Sequence, residues 1–259
     1  MVCRKCQVRA LIRICIACVL LLLTARGHAD SVSPQLQWTR AIDRDDAPVL
    51  TALMPSIDIF TSNEKGKTAL MAAAKLGDRA MLDNLLQRGM LLHQRSNTGG
   101  TTLMYAVLGN KTDMVRYLIG LGAADDNRIN AQSTNGWTAA MIAAAKGFDQ
   151  VLSVLVDNNA DPWIADGYGW SPLMRAIDNR HRNVIQYLLS LNNTSLDAQN
   201  ENGSTALHIA VLSNDIYSAR RLIERGANRS IRDSNHKLAS DIADDMGLVQ
   251  LRSLLIQKN

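Results

Sequence analysis

GKTALMAAAKLGD, residues Gly66–Asp78, is the stretch from which the rest of the chain can be read. A Gly that permits a turn is followed two residues on by Thr68. Its hydroxyl can accept from the exposed N–H groups that begin a helix. An almost wholly apolar run then closes on Gly77. The block returns four times: GGTTLMYAVLGNK from Gly99, GWTAAMIAAAKGFD from Gly136, GWSPLMRAIDNRH from Gly169 and GSTALHIAVLSND from Gly203. The leading glycines are 33, 37, 33 and 34 residues apart, so the unit is a repeat.

Each copy continues into a second apolar stripe that ends on a leucine-like pair: Leu85-Leu86, Leu118-Ile119, Leu155-Val156, Leu188-Leu189 and Leu222-Ile223. A residue suited to the left-handed end of a helix follows: Gly89, Gly122, Asn159, Asn192 or Gly226. Thr68, Thr101, Thr138, Ser171 and Thr205 are the first-helix caps. Ala73, Ala106, Ala143, Ala176 and Ala210 keep that helix slim where neighbouring copies meet. No copy buries its second stripe alone; stacking does so.

The pattern resembles the ankyrin repeat, whose signature is G-x-T-P-L-H-x-A at a period of about 33. The resemblance covers residues 34–259 and implies an all-α solenoid of stacked helix-turn-helix repeats with β-turn tips and degenerate capping repeats at both ends. The expected division is a signal peptide at 1–29, an N-terminal capping repeat at 30–62, and full repeats at 63–95, 96–132, 133–165, 166–199 and 200–232. A C-terminal capping repeat follows at 233–259. Residues 34–62 keep the register through Ala41, Val49 and Leu53 but lack the capping Thr and turn Gly. The last repeat has His236 for Gly and Ser240 for Leu, with a polar outer face expected. The longer second period places a small loop insertion around Ala124–Ala131. The copies depart from the signature where it has His. Met71, Met104, Met141 and Met174 stand there, and His208 alone conforms. Core filling is the expected role, against a soft-metal ladder or oxidation sensor.

All four cysteines lie near the start, as Cys3/Cys6 and Cys15/Cys18. Two C-x-x-C pairs suggest zinc, but only Gln7 to Ile14 separate them and the second pair sits in an apolar run. Arg4, Lys5, Arg9 and Arg13 form a basic head, Ile14–Leu23 an apolar run of ten residues, and Gly27-His28-Ala29 a small-residue site before Asp30. This is the order of a cleaved secretory signal, with cleavage expected between Ala29 and Asp30. The run falls short of the roughly 20 residues that span a bilayer, so no membrane anchor is expected after cleavage. The whole chain carries 28 basic and 24 acidic residues. Five basic residues and no acid fall within 1–29, which leaves 23 against 24 from Asp30 onward. That balance gives no argument for nucleic-acid binding.

No H-E-x-x-H, G-x-S-x-G or complete phosphate-cradling motif appears, and Lys65-Gly66-Lys67-Thr68 is explained by the repeat turn. His93, His181, His208 and His236 occupy different repeat positions, and Asp125-Asp126 and Asp244-Asp245 suggest solvated turns. Neither an enzyme nor a cofactor or metal is expected; the alternative of a different class is a metal-dependent stress protein or enzyme that uses the Met ladder or the scattered carboxylates.

The resemblance implies binding through the tips and first-helix surfaces of the concave side. Carried over, these positions are Glu64, Lys65, Lys67 and Lys75; Thr98, Gly100 and Leu108; Asn135, Trp137 and Lys146; Tyr168, Trp170, Asp178 and Asn179; Glu201, Asn202, Ser204 and Leu212. Trp137 and Trp170 share one repeat position, with Tyr168 beside them, and suggest an interface anchor, against tryptophans that merely fold over the hairpins. Trp163 is expected beneath its turn. The arginines Arg220, Arg221, Arg225, Arg229 and Arg232 form a second candidate surface. The chain resembles small periplasmic ankyrin-repeat proteins of Gram-negative bacteria. That likeness implies a monomer in the periplasm, or alternatively secreted, that binds a partner protein. The partner is a delivered toxin held by an immunity protein, or an envelope catalase in oxidative-stress defence.

Overall fold

The computed structural model describes residues 33–192 and 195–256. The expected signal segment, its cleavage pair Ala29 and Asp30, and the four cysteines lie outside the described residues. Fourteen α-helices are present among the described residues, arranged as seven antiparallel pairs. They are α1 Pro34–Arg44 with α2 Ala47–Leu53, α3 Ala69–Leu76 with α4 Arg79–Gln87, and α5 Thr102–Leu108 with α6 Thr112–Leu118. Then come α7 Ala139–Lys146 with α8 Asp149–Asp157, α9 Pro172–Asp178 with α10 Arg182–Ser190, α11 Ala206–Leu212 with α12 Ile216–Glu224, and α13 Ala239–Asp245 with α14 Val249–Ile256. First helices pack on first helices from α3 to α13, and second on second from α6 to α14, which makes two layers. The structure is the all-α repeat solenoid expected from the sequence.

The capping logic holds at the first four full repeats. The hydroxyls of Thr68, Thr101, Thr138 and Ser171 accept the N–H of Met71, Met104, Met141 and Met174 at 3.3, 3.3, 3.1 and 3.2 Å. In the fifth repeat Thr205 and His208 bond each other instead, and His208 Nε2 reaches the Lys237 carbonyl at 3.2 Å. The five alanines are fully buried, as small side chains must be where first helices touch. The four methionines are at most 2% exposed. They are core side chains. Gly89, Gly122, Asn159 and Gly226 take left-handed φ after the second helices.

The ends differ from expectation in detail. In the N-terminal pair Ser33 and Asp46 supply the missing caps, accepting from Leu36 at 3.2 Å and Val49 at 3.3 Å. Trp38 is fully buried and its indole N–H donates to the Thr61 carbonyl at 3.2 Å. At the other end His236 takes the glycine's left-handed conformation at φ 60°, and the Asp241 carboxylate accepts the Leu238 N–H at 2.9 Å. The outer face of α14 is mixed rather than polar, since Val249 is 73% and Ile256 55% exposed. The four-residue insertion winds as a π turn, Ile119–Ala123, and a 3-10 turn, Asp125–Asn130, anchored by the buried Ile129.

Candidate protein-binding face

The tips form a ladder that runs the length of the array. Within each tip a backbone pair closes the turn, as from Ser133 N–H to Trp137 O at 2.9 Å and Gly136 N–H to Ser133 O at 2.8 Å. Between tips, N–H groups of Asn97, Thr134, Gly167, Glu201 and Ser234 donate to carbonyls of Lys65, Thr98, Asn135, Tyr168 and Asn202 at 2.9–3.0 Å. Gly136, at φ 82°, shows why the tip needs glycine. A Cβ there would stand 2.4 Å from the Gly167 nitrogen of the next tip. A short polar side chain three residues before the tip glycine, or before His236, rigidifies each turn: Asn63, Ser96, Ser133, Asp166, Asn200 and Asp233. Each accepts tip backbone N–H groups at 2.9–3.1 Å. The sequence reading missed this position, although polar residues recur there in every copy.

Two columns of side chains project from this frame. Directly after the tip turn stand Lys67, Gly100, Trp137, Trp170 and Ser204; five residues further along stand Ala72, Tyr105, Ile142, Arg175 and Ile209. The tryptophans, expected to be exposed, are half-buried against the core, and Arg175 lies against both rings. Its guanidinium carbon lies 4.3 Å from the Trp170 ring centre and 5.5 Å from that of Trp137. One nitrogen of that guanidinium donates to Asp166 Oδ2 at 2.6 Å, and the Asp166 side chain is fully buried. Asp166 Oδ1 meanwhile accepts from Tyr168 and Trp170 N–H at 2.9 and 3.0 Å. One carboxylate thus fixes both the turn and the cation over which the indoles lie.

Beside this bracket the face opens into a groove of about 300 Å³. Leu108, Asn135 and Trp137, all anticipated, line it together with Tyr105, Met104 and Ile142, which were not. Tyr168 stands on the next tip, 56% exposed, and Trp170 continues the shelf. Lys146, Asp178 and Asn179 are exposed at the ends of α7 and α9 and do not line the groove. Lys67 is a correction. Instead of pointing outward it is 6% exposed, its ammonium donating to Ile42 O at 2.7 Å and paired with Asp45, which also holds Lys75 at 2.7 Å. Burial lowers its affinity for the proton. Gly100 and Ser204 are also buried. Trp163 packs against the core, as expected.

The basic cluster is dispersed over separate tasks. Arg225 caps the Leu191 carbonyl at 3.1 Å, Arg221 pairs with Glu224 at 2.6 Å, and Arg232 donates to His236 O at 2.6 Å. Asp244 and Asp245 are taken by Arg252 and Lys237. Among the described residues no three of His, Asp or Glu gather as a metal site would require, and no helix is long and apolar enough to cross a membrane.

A solenoid of stacked helix pairs with a laddered tip face and a groove in it is a binding scaffold. The family profile for ankyrin repeats matches in three copies, over residues 38–130, 123–200 and 166–233, and the chain belongs to that family. The chain is 28% identical over 193 residues to human "SH3 and multiple ankyrin repeat domains protein 2", covering 74% of this chain and 10% of that protein. It is 27% identical over 219 residues to bovine "Mitochondrial disaggregase", covering 80% and 31%. It is 28% identical over 185 residues to mouse "Inversin", covering 71% and 17%. The chain thus spans a third or less of the length of these relatives. Ankyrin repeats are protein–protein interaction modules, and the family is generally a non-enzymatic scaffold.

Proposed function

We propose that this chain is an exported, monomeric scaffold that holds a partner protein on its tip face, centred on the groove between Tyr105, Leu108 and Trp137. The single observation that carries the reading is that groove, the place where three independently anticipated contact residues meet around an apolar floor. Its setting supports it. The Asp166–Arg175 bracket holds Trp137 and Trp170 rigid before any partner arrives, so little side-chain entropy is left to lose on binding. Export to the periplasm, with cleavage between Ala29 and Asp30, is supported by the basic head and apolar run of residues 1–29. The partner we propose there is a delivered toxin, occluded as by an immunity protein; an envelope catalase is the alternative.

The test is affinity capture from an envelope extract with residues 30–259, run beside two variants. Trp137→Ala/Trp170→Ala removes the shelf, and Leu108→Glu/Asn135→Arg alters two exposed side chains, with retention of the fold checked by circular dichroism. Capture by wild type and loss in both variants is the expected result, and the captured protein then separates toxin from catalase. Equal capture by wild type and the Leu108/Asn135 variant would overturn the proposal.

A further inference from the structure

Asn-Gly stands twice in the chain, as Asn135-Gly136 and Asn202-Gly203, each time at a tip of the ladder. Glycine has no side chain to shield its nitrogen, so an asparagine before it readily reacts with its own backbone. The Gly nitrogen gives its proton to water or hydroxide and bonds to the Asn Cγ; the Cγ–Nδ2 bond breaks and ammonia leaves. Water then opens the five-membered imide at either carbonyl, which yields aspartate or isoaspartate. One water is taken up for one ammonia released, and nothing is oxidised or reduced.

The two tips are matched in much of what governs this step. Both asparagines are exposed, and both glycines are left-handed, at φ 82° and 68°. Both glycine N–H groups donate to the carbonyl three residues earlier, Ser133 or Asn200, at 2.8 Å. The tips differ at that turn-setting residue. The Ser133 hydroxyl donates to Asn135 Oδ1 at 2.6 Å. Its other acceptor, the Trp137 carbonyl, is farther at 3.0 Å and already takes the Ser133 N–H at 2.9 Å. Asn200 instead accepts the Asn202 and Ser204 N–H groups through Oδ1, both at 3.0 Å, and its Nδ2 donates to nothing among the described residues. As Cγ becomes tetrahedral, negative charge gathers on the side-chain oxygen. A hydroxyl aimed at that oxygen stabilises the charged state more than the neutral amide. Asn135 has that donor and Asn202 lacks it.

We propose that Asn135 is a self-modification site, which the Ser133 hydroxyl makes convert to aspartate and isoaspartate ahead of Asn202. Asn135 lines the groove and its carbonyl receives the Gly167 N–H at 3.0 Å, so the change lands on the face proposed above. Either product sets a carboxylate there, and isoaspartate also adds a carbon to the main chain of the tip. The inference concerns the chain alone and is read without a partner.

The experiment incubates residues 30–259, the chain after the proposed cleavage, in mildly alkaline buffer made with ¹⁸O-labelled water. Both tips are followed by peptide mapping and mass spectrometry, and the label separates conversion in the intact protein from conversion during digestion. Asn135 is expected to convert about threefold faster than Asn202, or more, the size of one modest hydrogen bond gained in the transition state. Ser133→Asn gives this tip the turn residue of the other and is expected to bring the two rates within about twofold. Ser133→Thr keeps the hydroxyl and is expected to keep the lead, with circular dichroism checking that each variant folds. In concentrated urea, where no tip is formed, the lead is expected to vanish. Equal or slower conversion at Asn135 in the folded wild type overturns the proposal. So does a lead that persists in urea, or one that Ser133→Asn leaves unchanged or enlarges, the outcome if the hydroxyl merely stiffened the turn.

Discussion

Replacing Asp166 probes the bracket most directly. Its buried carboxylate holds three donors, the N–H groups of Tyr168 and Trp170 at 2.9 and 3.0 Å and the Arg175 guanidinium at 2.6 Å. A hydrogen bond to a charged group contributes about 1.5–3 kcal/mol, and removing one partner of a buried ion pair costs about 3–5 kcal/mol. Arg175 keeps 22% of its side chain exposed, so water recovers part of the loss and Asp166→Ala is expected to cost about 3 kcal/mol. Asp166→Asn retains an acceptor for the two tip amides, as Asn63 and Asn200 do at the same repeat position. It gives up only the charge facing Arg175, so about half that loss, near 1.5 kcal/mol, is expected. Urea unfolding followed by far-UV circular dichroism and by tryptophan fluorescence measures both variants. The curves are fitted with nearest-neighbour repeat energies, because a long array need not unfold in one step. A loss below about 1 kcal/mol for the alanine variant, or losses equal within about 0.5 kcal/mol, would refute the two-part account of this carboxylate.

Other consequences are as direct. Gly136→Ala, at φ 82° with a Cβ 2.4 Å from the next tip, is expected to lose clearly more stability than Gly226→Ala, at φ 88° with open space around it. The latter pays only the backbone term of about 1–2 kcal/mol in the same urea assay. Met141→Ala, fully buried, is expected to cost about 2–5 kcal/mol, while Leu212→Ala, 48% exposed, stays within about 0.5 kcal/mol. Lys67 surrenders its proton more readily folded than unfolded, because burial penalises the charged form. The unfolded chain therefore binds more protons between the lowered value and 10.5, and this group's contribution to stability rises with pH across that window. Lys67→Met is expected to remove that rise when unfolding free energies are compared from pH 8 upward.

The fold was legible because the repeat writes local chemistry many times over. A turn glycine, a hydroxyl cap and a slim alanine are each decided within one copy, and five copies agree. The Met positions were legible for the same reason. What escaped the sequence depends on contacts between copies. Lys67 has the register of an outward residue, yet its buried ammonium meets the Ile42 carbonyl and the carboxylate of Asp45, 22 positions earlier and in a left-handed conformation. Trp137 and Trp170 were read as neighbours, but the Arg175 guanidinium that lies against both rings, and the Asp166 that holds it, were not anticipated. The polar residue three positions before each tip glycine was legible and overlooked, since its variation among Asn, Ser and Asp conceals a single hydrogen-bonding task.

The two ends of the array are tied down by different means, and this makes them answer differently to salt. The N-terminal pair is pinned by Asp45, 15% exposed, through Lys67 and Lys75. The terminal ion pairs of the C-terminal pair, Lys237–Asp245 and Arg252–Asp244, are about half exposed, so dissolved salt screens them. Opening of the C-terminal pair is expected earlier as ionic strength rises, whereas the N-terminal pair is expected to respond less. Amide hydrogen exchange at the two ends, followed as salt is added, would display that difference.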